Sequence, residues 1–136
     1  MGAADTSITG VELTVPGRPA GWPGAVTRPG TEQFVASAKA WLFDLGPAQW
    51  RTEPVLHRCP LLLARMVRIH LEIIVATARG NRRQLPRDFE NLPQEILDEL
   101  TDFCHQQELR AKGLAMQVRL LERAIKKVQG KPTSMA

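Results

Sequence analysis

The chain reads as an all-α protein: three main helices, the last one long and heptad-patterned, behind an extended Pro/Gly-rich N-terminal arm. Three observations predict this. From residue 31 onward, apolar residues recur at intervals of three and four, the helical period. Aromatic residues make up only 5% of the chain and tyrosine is absent, which disfavours β-sandwiches and barrels. Prolines and glycines crowd the first thirty residues, where they preclude a long helix. A length of 136 residues fits one domain. The expected division is an arm over 1–30, a helical domain over 31–129 and a disordered tail over 130–136.

The arm holds Pro16, Pro19, Pro23 and Pro29 beside Gly10, Gly17, Gly21, Gly24 and Gly30. Gly10 to Val15 alternates like a strand, but no second strand exists to pair with it. Val11, Leu13, Val15 and Trp22 give the arm apolar groups to dock on its own domain or on a partner.

The first helix is expected from Thr31, as N-cap, to Leu45, with Phe34, Ala38, Trp41, Leu42 and Leu45 on one face. Gly46-Pro47 should end it, the glycine as a left-handed cap. Residues 47–60 form a connector with a helical turn near Glu53 to Arg58. The second helix is expected from Pro60 to Arg79, stopped by Gly80. It carries two apolar stripes: Leu62, Met66, Ile69, Ile73 and Ala76, then Leu63, Val67, His70, Ile74 and Thr77. Apolar on most of its circumference, it belongs at the centre of a bundle, covered from several sides. Residues 80–91 read as a basic loop.

The third helix starts at Asn91, as N-cap, with Pro93 in its first turn. Acidic residues at its beginning (Glu95, Asp98, Glu99, Asp102) and basic ones at its end (Arg123, Lys126, Lys127) suit the helix dipole. Leu97, Leu100, Cys104, Gln107, Ala111, Leu114, Val118, Leu121, Ile125 and Val128 form an unbroken heptad across Gly113. A glycine costs only about 1 kcal/mol against alanine, too little to break a helix that packing holds. A continuous helix overhangs the second one, so the seam from Leu114 onward needs a cover; a break at Gly113 would instead make the chain a four-helix bundle. The first helix or a second molecule can supply it.

Catalytic and metal chemistry find little footing. His57, Cys59, Cys104 and His105 match no zinc-finger spacing, and neighbours on a helix point about 100° apart. Asp102-x-x-His105 has the step of a di-iron motif without a second copy. The serines Ser7, Ser37 and Ser134 sit in no nucleophile elbow. His70 on an apolar stripe reads as a hydrogen-bonded core histidine. No enzymatic activity, cofactor or metal is therefore expected. Two cysteines make no disulfide framework. The N-terminus lacks the basic and apolar blocks of a secretory signal, and the most apolar window, Leu61 to Ala78, carries Arg65, Arg68, His70 and Glu72. The expected setting is cytoplasmic, without a membrane span. Met1 to Thr6 also fits the loose myristoylation pattern.

Net charge is +4, divided as −1 over residues 1–50, +4 over 51–90 and +1 over 91–136. Arg79, Arg82, Arg83 and Arg87 crowd one segment, and guanidinium forks suit phosphates or acidic partners. Two functional expectations follow. The first is a non-enzymatic helical protein–protein interaction module, an adaptor or regulatory subunit, self-associating as a homodimer through Leu114, Val118, Leu121 and Ile125. The alternative is nucleic-acid binding through an Arg-rich loop over 79–87.

The stretch Trp41-Leu42-Phe43-Asp44-Leu45-Gly46-Pro47, followed by Val55-Leu56-His57-Arg58-Cys59-Pro60 and Leu63-Ala64-Arg65, resembles small uncharacterised helical proteins of high-GC Gram-positive bacteria. The resemblance covers about a third of the chain. An excess of arginine (13) over lysine (5) fits such a genome, in which myristoylation has no place. That group has no assigned activity, so the resemblance assigns no functional residue.

Overall fold

The computed structural model describes residues 21–129, all of whose regular elements are helical. The strand-like stretch 10–15, the rest of the arm over 1–20 and the tail over 130–136 lie outside the described residues. Four α-helices follow in order: α1 (Phe34–Leu45), α2 (Pro54–Arg58), α3 (Pro60–Asp88) and α4 (Gln94–Gln129), with a 3-10 turn at Ala48–Thr52 between the first two. The residues fall into two compact units, and the boundary runs through α3 and α4 themselves. The first unit comprises residues up to Val67 and from Gln117 onward; the second comprises Arg68–Met116.

The first unit has a core of large side chains. Phe34, Ala38, Leu42 and Phe43 of α1 are buried, with Leu56 of α2, Leu63, Ala64 and Val67 of α3, and Val118, Leu121 and Ile125 of α4. Part of the predicted arm belongs to this core. Trp22, Pro23 and Val26 are buried, so ordered structure begins ahead of residue 31. The Trp22 indole stacks on Phe34 at 6.0 Å and donates from Nε1 to the Val26 carbonyl at 2.9 Å. That bond satisfies the one polar atom a buried tryptophan brings with it. Ser37 Oγ accepts from the Thr27 amide at 3.0 Å, tying the segment to α1. Thr31 is not the N-cap. Its hydroxyl turns back to the Arg28 carbonyl, and α1 starts at Phe34 behind an uncapped Gln33.

Gly46 ends α1 as expected, but for a different reason. Its φ of −97° is not left-handed; it is extended backbone that other residues adopt. A Cβ there would come within 2.7 Å of the Trp50 ring, so the position demands glycine for the close approach of the indole.

The largest departure from expectation lies in α3. It does not stop at Gly80 but runs through 29 residues to Asp88, so the predicted basic loop is helical for most of its length. One glycine costs about 1 kcal/mol in a helix interior, which does not by itself break a helix, and beyond it Arg82 pairs with Glu108. Pro86 lacks the N–H that would bond to the Arg82 carbonyl, and the helix ends two residues later. The Phe89 amide closes the last turn on the Leu85 carbonyl at 2.9 Å. Helix α4 is continuous for 36 residues across Gly113, as the heptad predicts, starting three residues after Asn91. The Pro93 carbonyl receives its first amides, from Ile96 and Leu97.

Candidate interaction surface

The second unit is a helical hairpin whose apolar residues are distributed against the usual rule. Its buried apolar side chains are Leu71, Ala78, Leu97, Cys104, Ala111 and Ala115, mostly small. Leu71 and Leu97 are the large side chains inside, while several others are exposed: Ile69 (46% exposed), Ile73 (58%), Phe103 (61%), Leu109 (48%) and Met116 (67%). Scattered exposed apolar residues are ordinary, whereas a row of large ones along one helix face is not.

The geometry of α3 makes that surface continuous. At 100° per residue, Leu71 and Ala78 point one way and Ile69, Ile73 and Ala76 the other. Ile69, Ile73 and Ala76, part of a stripe expected at the centre of a bundle, are therefore on the exposed side of the helix. The companion residue His70 is half-buried.

Charge closes the inner side of the hairpin. Arg79 Nε donates to Glu108 Oε2 at 2.6 Å, and Arg82 Nη1 lies 3.1 Å from Glu108 Oε1. Arg82 Nη1 also donates to His105 Nδ1 at 2.8 Å, while Oε1 accepts no hydrogen bond and is held by charge alone. The Glu108 side chain is only 7% exposed. The hydrogen bond from Arg79, and then the charges of Arg82, Arg79 and Lys112, hold its carboxyl below the ordinary glutamate range against the opposing effect of burial. In the first unit Arg65 Nε reaches Glu122 Oε2 at 2.6 Å in the same manner. Neither glutamate stood out in the sequence. The detectable signal was spacing: Arg65 to Arg79 and Glu108 to Glu122 are each two heptads.

The four arginines predicted as phosphate contacts thus divide. Arg79 and Arg82 are engaged by Glu108, and Arg83 and Arg87 are exposed on the outer side of α3. All four stand on a helix and not on a loop. The predicted self-association seam also changes character. Val118, Leu121 and Ile125 are 0% exposed and Leu114 is half-buried, so the chain itself covers the residues that a second molecule was expected to meet. Of the metal-ligand candidates, Cys104 is buried and Cys59 exposed, and the His57 ring stacks on Phe43 at 4.5 Å. Among the described residues, no three His, Cys, Asp or Glu side chains converge on a metal position, and no helix is long and apolar enough to cross a membrane.

The first unit carries a half-open groove of about 420 Å³ between Trp22 and Pro29 on one side and Leu120, Ala124 and Val128 on the other. Arg123 and Lys127 complete its wall. It holds no acid–base pair and no nucleophile. No protein-family model, no curated protein and no solved structure matches this chain.

Proposed function

We propose that this protein is a helical protein–protein interaction module, an adaptor or regulatory subunit, and that its second unit carries the contact surface. The observation behind this reading is the inverted hairpin: Leu71, Ala78, Cys104, Ala111 and Ala115 inside, Ile69, Ile73, Leu109 and Met116 outside. A hairpin of two helices buries little apolar area on its own, and docking a partner on the outer stripes removes more from water at about 25 cal/mol per Å². A photoreactive phenylalanine analogue at position 73, introduced in living cells, tests the reading. A discrete protein adduct, abolished by Ile69→Glu in the same chain, supports it. No adduct at position 73 or at position 116 overturns it.

Nucleic-acid binding has less to draw on, because Glu108 already occupies Arg79 and Arg82. Arg83 and Arg87 are left, one turn apart. Salt-sensitive binding of labelled duplex DNA or RNA, lost in Arg83→Gln/Arg87→Gln, would put this alternative ahead.

A further inference from the structure

The two outer faces of the second unit carry the same two kinds of patch in opposite order. On α3, Ile69, Ile73, Ala76, Arg83 and Arg87 lie within an arc of about 80°, apolar first and basic second along the chain. On α4, Glu95, Asp98, Asp102, Leu109 and Met116 lie within about 60°, acidic first and apolar second. All of these residues are exposed. Among the described residues, Asp98 accepts from Gln94 Nε2 at 2.9 Å. Among the described residues none of Arg83, Arg87, Glu95 and Asp102 is drawn into an ion pair.

The patches are also spaced alike. From the centre of Ile69 and Ile73 to the centre of Arg83 and Arg87 is about 14 residues, or about 21 Å of helix. From the centre of the three acids to the centre of Leu109 and Met116 is again about 14 residues and about 21 Å. When the outer face of α3 is laid antiparallel on the outer face of an α4, the isoleucines meet Leu109 and Met116 while the arginines meet the acids. Within one hairpin this pairing is impossible, because the outer face of each helix points away from the other. It requires a second chain.

We propose that the partner on this surface is a second copy of this chain, joined head to tail, the α3 face of one copy on the α4 face of the next. The proposal rests on the interaction-module reading and names the partner. It differs from a two-fold dimer in one respect. A head-to-tail contact leaves a free face at each end, so association continues beyond two until a ring closes or the stack runs out. The apolar half supplies the attraction, and the charged half fixes direction and weakens as salt screens it.

The test is light-scattering mass across a concentration series of the full chain at low and high salt, on wild type and two charge-reversed variants. The variants are Arg83→Glu/Arg87→Glu and Asp98→Lys/Asp102→Lys, each checked by circular dichroism. Wild type is expected to rise to at least twice the 15.1 kDa of one chain. Each variant alone is expected to stay at the monomer mass, since each sets like charge on like charge. Mixed in equal amounts, they are expected to regain the wild-type mass, because the acidic α3 of one then meets the basic α4 of the other. Recovery on mixing also shows that neither variant had unfolded. A monomeric wild type at all concentrations overturns the proposal, as does a mixture that stays monomeric or a variant that associates as wild type does. A monomeric wild type that still gives a cellular adduct at position 73 leaves the interaction module standing and rejects only the second copy as its partner.

Discussion

Truncating Leu121 distinguishes a seam filled by this chain from one filled by a second. The side chain is 0% exposed within a single molecule. Leu121→Ala removes three carbons, about 2.4 kcal/mol of transfer free energy at about 0.8 kcal/mol per carbon. The unfilled space adds to that, bringing the expected loss to about 3–4 kcal/mol. For a domain of about 100 residues this lowers Tm by about 12–20 °C. Ile73→Ala is the control: 58% exposed, it should change the stability of the dilute protein by no more than about 0.5 kcal/mol. Thermal melts followed by circular dichroism, at two protein concentrations, measure both. The reasoning fails if Leu121→Ala melts with wild type. It also fails if the wild-type Tm climbs with concentration and the variant's does not, because the seam would then be filled from a second chain.

Three further outcomes are expected. Gly46→Ala places a Cβ 2.7 Å from the Trp50 ring, and the displaced indole should cost about 1–3 kcal/mol in urea titration and shift the tryptophan emission. Gly113→Ala meets nothing within 4 Å on a continuous helix, so it should raise stability by about 1 kcal/mol by the same titration. The lowered pKa of Glu108 means that its pairing with Arg79 contributes above the ordinary glutamate value and is lost as pH falls through the folded value. Wild type should therefore lose stability below about pH 4.3 more steeply than Glu108→Gln does; parallel acid limbs would show that the pair contributes nothing.

Much of the fold was legible because helices advertise themselves locally. The heptad from Leu97 to Val128 gave α4 its length and carried it across Gly113, since one glycine cannot outweigh nine periodic steps. The same argument holds at Gly80. Leu71, Ala78 and Leu85 recur every seven residues through it, but the dense arginines after the glycine are also what a solvated loop contains. The contacts of Arg82 in that extension, to His105 and Glu108, join residues 23 and 26 places apart that no local pattern connects. Thr31 and Gly46 were read from local chemistry too. In the fold a hydroxyl bonded backwards and an indole ring settled their roles.

The sequence by itself determined that this chain is helical and where its long helix runs, because periodicity and termination are written in neighbouring residues. It also displayed every apolar stripe. Which stripe faces inward was decided only by the tertiary structure. Leu62, Ile69 and Ile73 are as greasy as Leu63, Val67 and Ile74, and both sets keep helical time. In the hairpin the buried side holds Leu71, Ala78, Leu97, Cys104, Ala111 and Ala115 with Glu108, and Ile69 and Ile73 are left outside. In the first unit, bulk did the opposite: the chain folded Val118, Leu121 and Ile125 into its own core. Burial depends on which partner arrives at which face, and that is a property of the packed chain and not of any stretch of it.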